Sequence, residues 1–299
     1  MKISIIIVSY NVRDLLQQAL DSLIDASKDL EYEIFVVDNF SKDQTVEMII
    51  EKYPSVKLIA NKINVGFSKA NNQAILKASG EYILLINPDT ITSKDTINEC
   101  INFMDFHLDA GGLGVRMINA QGKYLPESKR GLPTPWASLT KFIGLAKLFP
   151  NSKVFSRYYM GWIGEKQTSE IEILAGAFML LRHKALKKIG LLDESFFMYG
   201  EDIDLSFSAL KKGKTNYYFH ETTVIHYKGE STIKDEKYLS AEIRRSPIKN
   251  GKVFKEEVYH KCNIGSTALH CTKSQLMRLM SVNGLHHVLA CPRKTTPSD

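Results

Sequence analysis

Two residues that can bind a cation each follow an apolar stretch of the sequence. Asp89 closes the run from Ile83 through Asn87 and Pro88, and His226 follows the apolar pair before it. A carboxylate just past the end of a buried strand is placed to hold a metal or a ligand hydroxyl. A mixed oxygen and imidazole ligand set suits Mn²⁺ at least as well as Mg²⁺. The alternatives are an aspartate that only caps the next segment and a histidine that belongs to the core.

A second group of candidate residues lies at 201–204, directly after the aromatic run 196–199. Glu201, Asp202 and Asp204 open an apparent helix, where the helix dipole favours acids. Carboxyl groups packed against aromatic rings lose hydration, which raises their pKa and suits a general base. Because residues two apart on a helix point about 200° apart, Asp202 and Asp204 cannot both face one site.

The elements that would position these residues alternate between strands and helices. Apolar runs predict strands over 3–9, 33–37, 56–60 and 82–86, and helical periodicity connects them over 12–24, 44–52 and 68–78. Less regular sequence follows, with strands predicted over 173–181, interrupted at Gly176, and over 217–220, and with helices over 183–190 and 201–212. The alternation favours a doubly wound α/β sheet that is mostly parallel.

Four of the predicted strands end in polar residues. Because the carboxyl ends of parallel strands share one edge of the sheet, these residues predict a concave polar rim that can bind a ligand. The rim comprises Tyr10, Asn11, Asp38, Asn39, Asn61, Asn64, Asn87 and Asp89. The first strand-to-helix turn contains no glycine, which excludes a dinucleotide fingerprint and a phosphate loop, and the glycines at 111–114 come too late to supply one. A cation on Asp89 would then provide the counter-charge for any bound diphosphate.

Positive charge is concentrated between residues 121 and 160. This segment holds seven basic residues and one acid, a net charge equal to the +6 of the whole chain. Its lysines alternate with apolar residues: Trp136, Leu139, Phe142, Ile143, Leu145, Ala146, Leu148 and Phe149. The pattern fits an amphipathic segment on an anionic membrane surface, and equally a segment packed on the domain with a solvated basic face. Nucleic-acid binding is disfavoured because no recognition motif accompanies the charge.

Length and composition limit the remaining possibilities. The 299 residues, 44% of them hydrophobic, suit one large domain with a small appendage. No signal peptide and no apolar run of about 20 residues is found, so we expect a cytoplasmic protein without an integral anchor, in contact at most with the inner face of the membrane. The four cysteines form no Cys-x-x-Cys pair, which argues against a zinc or redox motif.

Six sequence blocks resemble the family 2 glycosyltransferases. They are SIIIVSYN at Ser4, VVDNFSKDQT at Val36, NVGFSKANN at Asn64, LLINPDT at Leu84, AGAFMLLRHKALKKIGLLDESFFMYGEDIDL at Ala175 and IHYKGEST at Ile225. The blocks occur in the order typical of the family and cover about residues 3 to 232, and they are most similar to its rhamnosyltransferase-like branch. The resemblance implies a mixed sheet of the GT-A type in domain 1–232, with 121–160 as a basic insertion and 233–299 as a C-terminal extension, helical or partly disordered.

The resemblance also implies roles for individual residues. Ser9, Tyr10 and Asn11 would lie along the nucleotide, Asp38 would bond the base, and Asn64, Gly66 and Asn71 would line the donor pocket. Asn87 and Asp89 take the place of the Asp-X-Asp motif, with Asp89 and His226 on a divalent Mg²⁺ or Mn²⁺. Asp202 would be the catalytic base, and Glu201 would bind the acceptor or share that role. Asn87 in place of an acid, and Phe40 where the family has a small residue, depart from the usual pattern.

The implied activity is inverting transfer of a sugar, with rhamnose suggested by the branch, from a nucleoside-diphosphate donor to a saccharide or lipid-linked acceptor in surface polysaccharide synthesis. Two other functions stay open. A sugar nucleotidyltransferase also uses a carboxylate-bound metal, but it usually begins with a glycine-rich basic loop that this sequence lacks. A catalytically silent nucleotide-sugar binding protein would not need Asp89, Asp202 and His226 together. The oligomeric state is not indicated.

Overall fold

The computed structural model describes residues 1–227. The predicted C-terminal extension, 233–299, and the last residues of the predicted domain, 228–232, lie outside the described residues. The strands are β1 Ile3–Ser9, β2 Tyr32–Asp38, β3 Lys57–Ala60, β4 Tyr82–Ile86, β5 Thr90–Ile91, β6 Ala110–Ile118, β7 Ser169–Ile171, β8 Phe178–Arg182 and β9 Thr215–His226. The helices are α1 Arg13–Ser27, α2 Thr45–Lys52, α3 Phe67–Ile75, α4 Thr96–Phe106, α5 Pro135–Phe142, α6 Leu145–Leu148, α7 His183–Ile189 and α8 Glu201–Lys211.

All the strands belong to one sheet, with the order β3-β2-β1-β4-β8-β6-β9-β5 and with β7 beside β9. The first four strands pair in parallel, as predicted. Because alternate residues of a strand face opposite sides of the sheet, Ile5 and Ile7 pack under α1, α2 and α4, whereas Ile6 and Val8 pack under α3, α7 and α8. The sheet therefore has a helical layer on each face, as the α/β prediction requires.

The sheet is mixed, as the resemblance predicts, and its antiparallel pairings lie in its second half. Among the described strands, four pairings are parallel and four are antiparallel. The run of strand-helix-strand units that favours parallel neighbours ends at β4, and β8 then enters beside β4 in the opposite direction. Apolar patterning detects a buried strand but carries no information about its direction.

The basic segment 121–160 folds as several short elements. It contains α5, α6 and two single turns of 3-10 helix, Pro126–Ser128 and Arg157–Tyr159. Thr134 caps α5 by accepting a hydrogen bond from the Ala137 amide, and Pro135 occupies the first helical position. The basic residues do not form one solvated face, because the Lys129 side chain is buried and donates to the main-chain oxygens of Tyr159 and Met160.

Candidate active site

The first part of the rim comes from the ends of β1 and β2, which are in register so that Ser9 lies beside Asp38. Asp38 is buried, and its Oδ2 accepts hydrogen bonds from the amides of Phe40 (3.1 Å) and Ser41 (2.9 Å). Burial raises the pKa of Asp38 above its usual value. Half-buried Asn11 adds a bond from the Lys42 amide to its Oδ1 (2.7 Å). These two side chains therefore shape the loop at 38–42.

Two residues of this region have unusual backbone conformations. Asn11 (φ 55°) and Phe40 (φ 76°) both lie in the left-handed region, which costs a bulky side chain more than an asparagine. The Phe40 ring is 40% exposed, and the Lys42 ammonium lies 3.3 Å from its centroid. Tyr10 is half-buried beside this loop. Phe40 therefore stands at the surface of the rim and does not fill the interior of the sheet edge.

An amide network, which the sequence patterns did not identify, connects β2 to the loop before α3. Asn39 donates to the Gly66 carbonyl (3.2 Å) and accepts from the Asn61 side chain (3.0 Å). Asn64 accepts from the Gly66 amide (3.0 Å), which makes a tight asparagine turn. Asn71 is buried and donates to the Phe67 carbonyl one helical turn earlier (2.9 Å). Of the predicted donor-pocket residues, Asn64 and Gly66 thus lie in the loop before α3, and Asn71 lies in that helix.

Asp89 and His226 are distant in sequence but adjacent in the fold. Thr90 of β5 pairs with His226 of β9, and the Tyr227 amide donates to the Asp89 carbonyl (2.9 Å). This pairing brings the His226 Nε2 to 3.4 Å from the Asp89 Oδ1, with both side chains buried. The sequence-predicted metal ligands are therefore brought together, which no spacing rule could establish.

The donor set at Asp89 and His226 fits a divalent cation in part. A carboxylate oxygen and an imidazole nitrogen are ligands that Mn²⁺ accepts, and the buried His226 Nδ1 has no hydrogen-bond partner among the described residues. No group of three or more His, Cys, Asp or Glu side chains in residues 1–227 could hold a metal on its own. A cation here would need oxygen atoms from a bound diphosphate or from water to complete its coordination.

The acids at the head of α8 have different surroundings. The Asp202 Oδ1 accepts from the Ile203 amide (2.8 Å), and its Oδ2 accepts from the Arg130 guanidinium in a largely buried ion pair. Glu201 is buried, and its Oε2 has no partner among the described residues. Burial, reinforced by the charge of Asp202, raises the pKa of Glu201 to about 8. Of the two acids that the sequence predicts as catalytic, Asp202 is therefore paired with Arg130. Glu201 is its neighbour, and its carboxyl group binds a proton more readily than usual.

The segment before β8 links these acids to the end of β4. The Asn87 amide donates to the Ala177 carbonyl (3.1 Å). Gly176, one residue earlier, lies against Asp202, because a Cβ added to this glycine would lie 3.6 Å from the Asp202 Cβ. The loop that leads into α8 also contacts the rim, since the Phe67 amide donates to the Phe197 carbonyl (2.7 Å). Residues from β4, β8 and α8 thus surround one edge of the sheet.

A mixed α/β sheet with a polar rim at the carboxyl ends of its parallel strands defines an α/β protein whose ligand crevice lies at that edge. Residues 4–190 match Glycosyl transferase family 2. The chain belongs to this family.

Several characterised proteins are similar to this chain. The N-acetylglucosaminyl-diphospho-decaprenol L-rhamnosyltransferase of Mycobacterium tuberculosis is 26% identical over 77% of this chain and 78% of its own length. The rhamnosyltransferase WbbL of Escherichia coli is 28% identical over 75% of this chain and 82% of its own. Among solved structures, TarS residues 1–349 of Staphylococcus aureus superposes with a TM-score of 0.55 at 22% identity, covering 83% of this chain and 66% of that one. The predicted GT-A type fold and the predicted family are confirmed.

Proposed function

We propose that this chain transfers a sugar from a nucleoside-diphosphate donor to an acceptor hydroxyl with inversion at the anomeric carbon. Asp202 accepts the proton of the attacking hydroxyl, and the bond to the leaving diphosphate breaks on the opposite side of the sugar. General-base assistance of this kind contributes roughly 10²–10⁴-fold to the rate. Glu201, protonated near neutral pH, can donate a hydrogen bond to the acceptor.

The other site residues bind and orient the donor in this proposal. Ser9, Tyr10, Asn11 and Asp38 lie along the nucleotide, whereas Asn64, Gly66, Asn71 and Asn87 line the sugar and diphosphate side. Asp89 and His226 would hold a Mg²⁺ or Mn²⁺ ion, which when bound acts as a Lewis acid toward the leaving diphosphate. A solved neighbour with a similar fold, GalNAc-T7, is described with UDP and Mn²⁺.

One observation carries this proposal. The Asp89 carboxylate and the His226 imidazole approach within 3.4 Å at the carboxyl edge of the sheet. Asp202 lies against Gly176, and the next residue, Ala177, accepts a hydrogen bond from the Asn87 amide at the same edge. A site with a cation-binding pair and a separate base supports group transfer more than binding alone, because a binding module needs no base.

The chemical classes of donor and acceptor are proposed from the relatives. Two of them are rhamnosyltransferases, and the name of the mycobacterial protein describes a lipid-linked saccharide acceptor. We propose a deoxysugar such as rhamnose as the transferred group, and a saccharide or lipid-linked saccharide of a cell-surface polysaccharide as acceptor.

A donor panel tests the proposed function directly. Nucleoside diphosphate release would be measured for several donors with acceptor present, with Mn²⁺ or Mg²⁺ and with a chelator. The proposal predicts metal-dependent release of nucleoside diphosphate from one donor class. Release of pyrophosphate instead would indicate a nucleotidyltransferase, and saturable binding of donor without turnover would indicate a silent binding protein.

We also propose that the chain works at an anionic membrane surface. Seven apolar side chains in the segment 136–154 are each 47–72% exposed, and we term them the apolar patch: Trp136, Leu139, Phe142, Ile143, Leu148, Phe149 and Val154. Exposed Lys147 and Lys153 lie within the same segment and complement anionic headgroups. Several exposed apolar side chains in one short segment, with lysines among them, are typical of interfacial binding. No helix within residues 1–227 is long and apolar enough to cross a bilayer.

A further inference from the structure

Arg130 reaches from the basic segment into the site and contacts Asp202. Its guanidinium Nη2 donates to the Asp202 Oδ2 and to the Leu174 carbonyl (2.5 Å). Both side chains of the ion pair are largely buried, at 15% and 14% exposure. Burial by itself lowers the pKa of Arg130, but the charge and hydrogen bond of Asp202, together with Tyr158 and Glu127, outweigh it and leave that pKa raised. A charge-assisted bond that is largely shielded from water is among the stronger hydrogen bonds in a protein.

The main chain fixes the position of Arg130. Its carbonyl accepts from the Ile173 amide (2.9 Å), which forms an isolated bridge between the two segments. The next residue, Gly131, donates to the Tyr158 carbonyl (3.1 Å). Arg130 is thus held on both sides before its side chain meets Asp202, so the guanidinium is a preorganised partner for that carboxylate.

We propose that Arg130 is a positioning residue that orients the Asp202 carboxylate for proton transfer. This inference rests on the proposed role of Asp202 as the base. A guanidinium that donates to a carboxylate holds that group in one geometry, and the opposite charges of the two partners strengthen the bond. The Arg130 bond also leaves the Asp202 side chain little rotational freedom, since each carboxylate oxygen already accepts a hydrogen bond.

Other titratable groups lie close to the ion pair of Arg130 and Asp202. Glu201 lies beside Asp202 on α8, whereas Tyr158 and Glu127 approach Arg130 from the two 3-10 turns. Without the guanidinium, Asp202 and Glu201 would be two neighbouring carboxyl groups in a buried site. Two such groups repel each other when both are charged, so the position of the Asp202 carboxylate would be less fixed.

The test compares Arg130→Gln with Arg157→Gln. Arg157 pairs with Glu172 (2.5 Å) and braces the same segment, but it is not bonded to Asp202. The measurement is kcat and the donor KM with saturating acceptor. Arg130→Gln should lower kcat by about tenfold or more with the donor KM unchanged, because the base loses its orientation. Arg157→Gln should leave kcat unchanged. A wild-type kcat in Arg130→Gln, or an equal fall in both variants, would overturn the proposal.

A second variant keeps the test decisive if Arg130→Gln does not fold. Arg130→Lys keeps the charge but lacks the forked guanidinium. We expect its kcat to fall by about tenfold or more with the donor KM unchanged, because orientation and not donor binding is lost. A kcat equal to wild type in Arg130→Lys would overturn the proposal.

Failure of the inference can be told apart from failure of the proposed base. If Asp202→Asn retains wild-type turnover, the assignment of the base is wrong. If Asp202→Asn is inactive while both Arg130 variants behave as wild type, only the positioning role is wrong. In the Asp202→Asn background the proposal predicts that adding Arg130→Gln changes the residual rate by less than about twofold.

Discussion

At the scale of single residues, Gly66 is a position where the loop before α3 has no room for a side chain. Its φ is +86°, and a Cβ there would lie 2.8 Å from both the Phe197 ring and the Phe197 carbonyl oxygen. We expect Gly66→Ala to destabilise the fold by about 1–3 kcal/mol from backbone strain, with a further loss from the displaced Phe197. Urea unfolding measures this change in the free energy of unfolding.

Gly122 provides the matched control for Gly66. Its φ is also positive (+75°), but a Cβ there meets nothing within 4 Å. Gly122→Ala should therefore show only the backbone term, and donor binding should be unchanged. Equal losses of stability in the two variants would mean that contact with Phe197 does not constrain the loop.

The Asp89 and His226 pair makes a separate residue-scale prediction. Asp89→Asn or His226→Ala should weaken Mn²⁺ binding in the presence of nucleoside diphosphate by at least about tenfold, because each removes a ligand. Calorimetric titration with Mn²⁺ measures this. Exposed Glu81 supplies the control, and Glu81→Gln should bind Mn²⁺ as wild type does. Unchanged affinity in both ligand variants would contradict the assignment.

The sequence identifies most of the candidate site residues but not the residues with which they form hydrogen bonds. Asp38, Asp89 and Asp202 stand out because each follows an apolar or aromatic run. Arg130 is one of seven basic residues in the segment 121–160, and no sequence pattern distinguishes it from the others. The fold brings it to Asp202. The Asn39 network is equally non-local, because Asn61 and Gly66 approach it only when β2 and β3 pair.

At the scale of elements, the parallel half of the sheet was the more predictable part. β1 and β4 have the predicted bounds because both are continuous apolar runs bordered by polar residues. The sequence does not predict β6, because its glycines interrupt the apolar pattern that identifies a strand. A Cβ at Gly112 would lie 2.5 Å from the Leu174 Cδ1, so a side chain there would displace the end of the Leu174 side chain. Strand order beyond β4 depends on contacts that no local pattern contains.

Glu33 on β2 joins several elements and carries an element-scale prediction. Its buried carboxylate accepts from Ser4 on β1, Ser79 before β4 and Lys57 on β3. Burial alone would raise the pKa of Glu33, but these hydrogen bonds lower it to about 2. The stabilisation is therefore present above the unfolded pKa near 4.5 and is lost as pH falls toward 2.

We expect Glu33 to contribute roughly 3 kcal/mol to the acid dependence of stability, from the size of its pKa shift. Glu33→Gln should reduce the fall in unfolding free energy between pH 5 and 2 by about this amount. Glu81→Gln removes an exposed partner of Lys2 and should change that fall by no more than about 1 kcal/mol. If the unfolding free energy of Glu33→Gln depends on pH as that of wild type does, Glu33 does not make these hydrogen bonds in solution.

At the scale of the whole molecule, the apolar patch predicts membrane binding. Phe142→Ser combined with Leu148→Ser should lower partitioning onto phosphatidylglycerol vesicles by at least about tenfold, because each side chain gains roughly 1.5–3 kcal/mol on full burial. Co-sedimentation at moderate salt measures this. Phe106→Ser with Leu108→Ser alters residues outside the patch that are at least as exposed, and this variant should bind as wild type does. Failure of the wild-type protein to bind these vesicles would contradict the membrane proposal.

Asp202, the proposed base at the head of α8, is the residue on which the proposed activity depends most directly. Single-turnover transfer by Asp202→Asn, measured beside the equilibrium binding of the donor, separates chemistry from binding. We predict that transfer falls by roughly 10²–10⁴-fold while the donor Kd stays within about twofold of wild type. Transfer at the wild-type rate in Asp202→Asn would contradict the proposed mechanism.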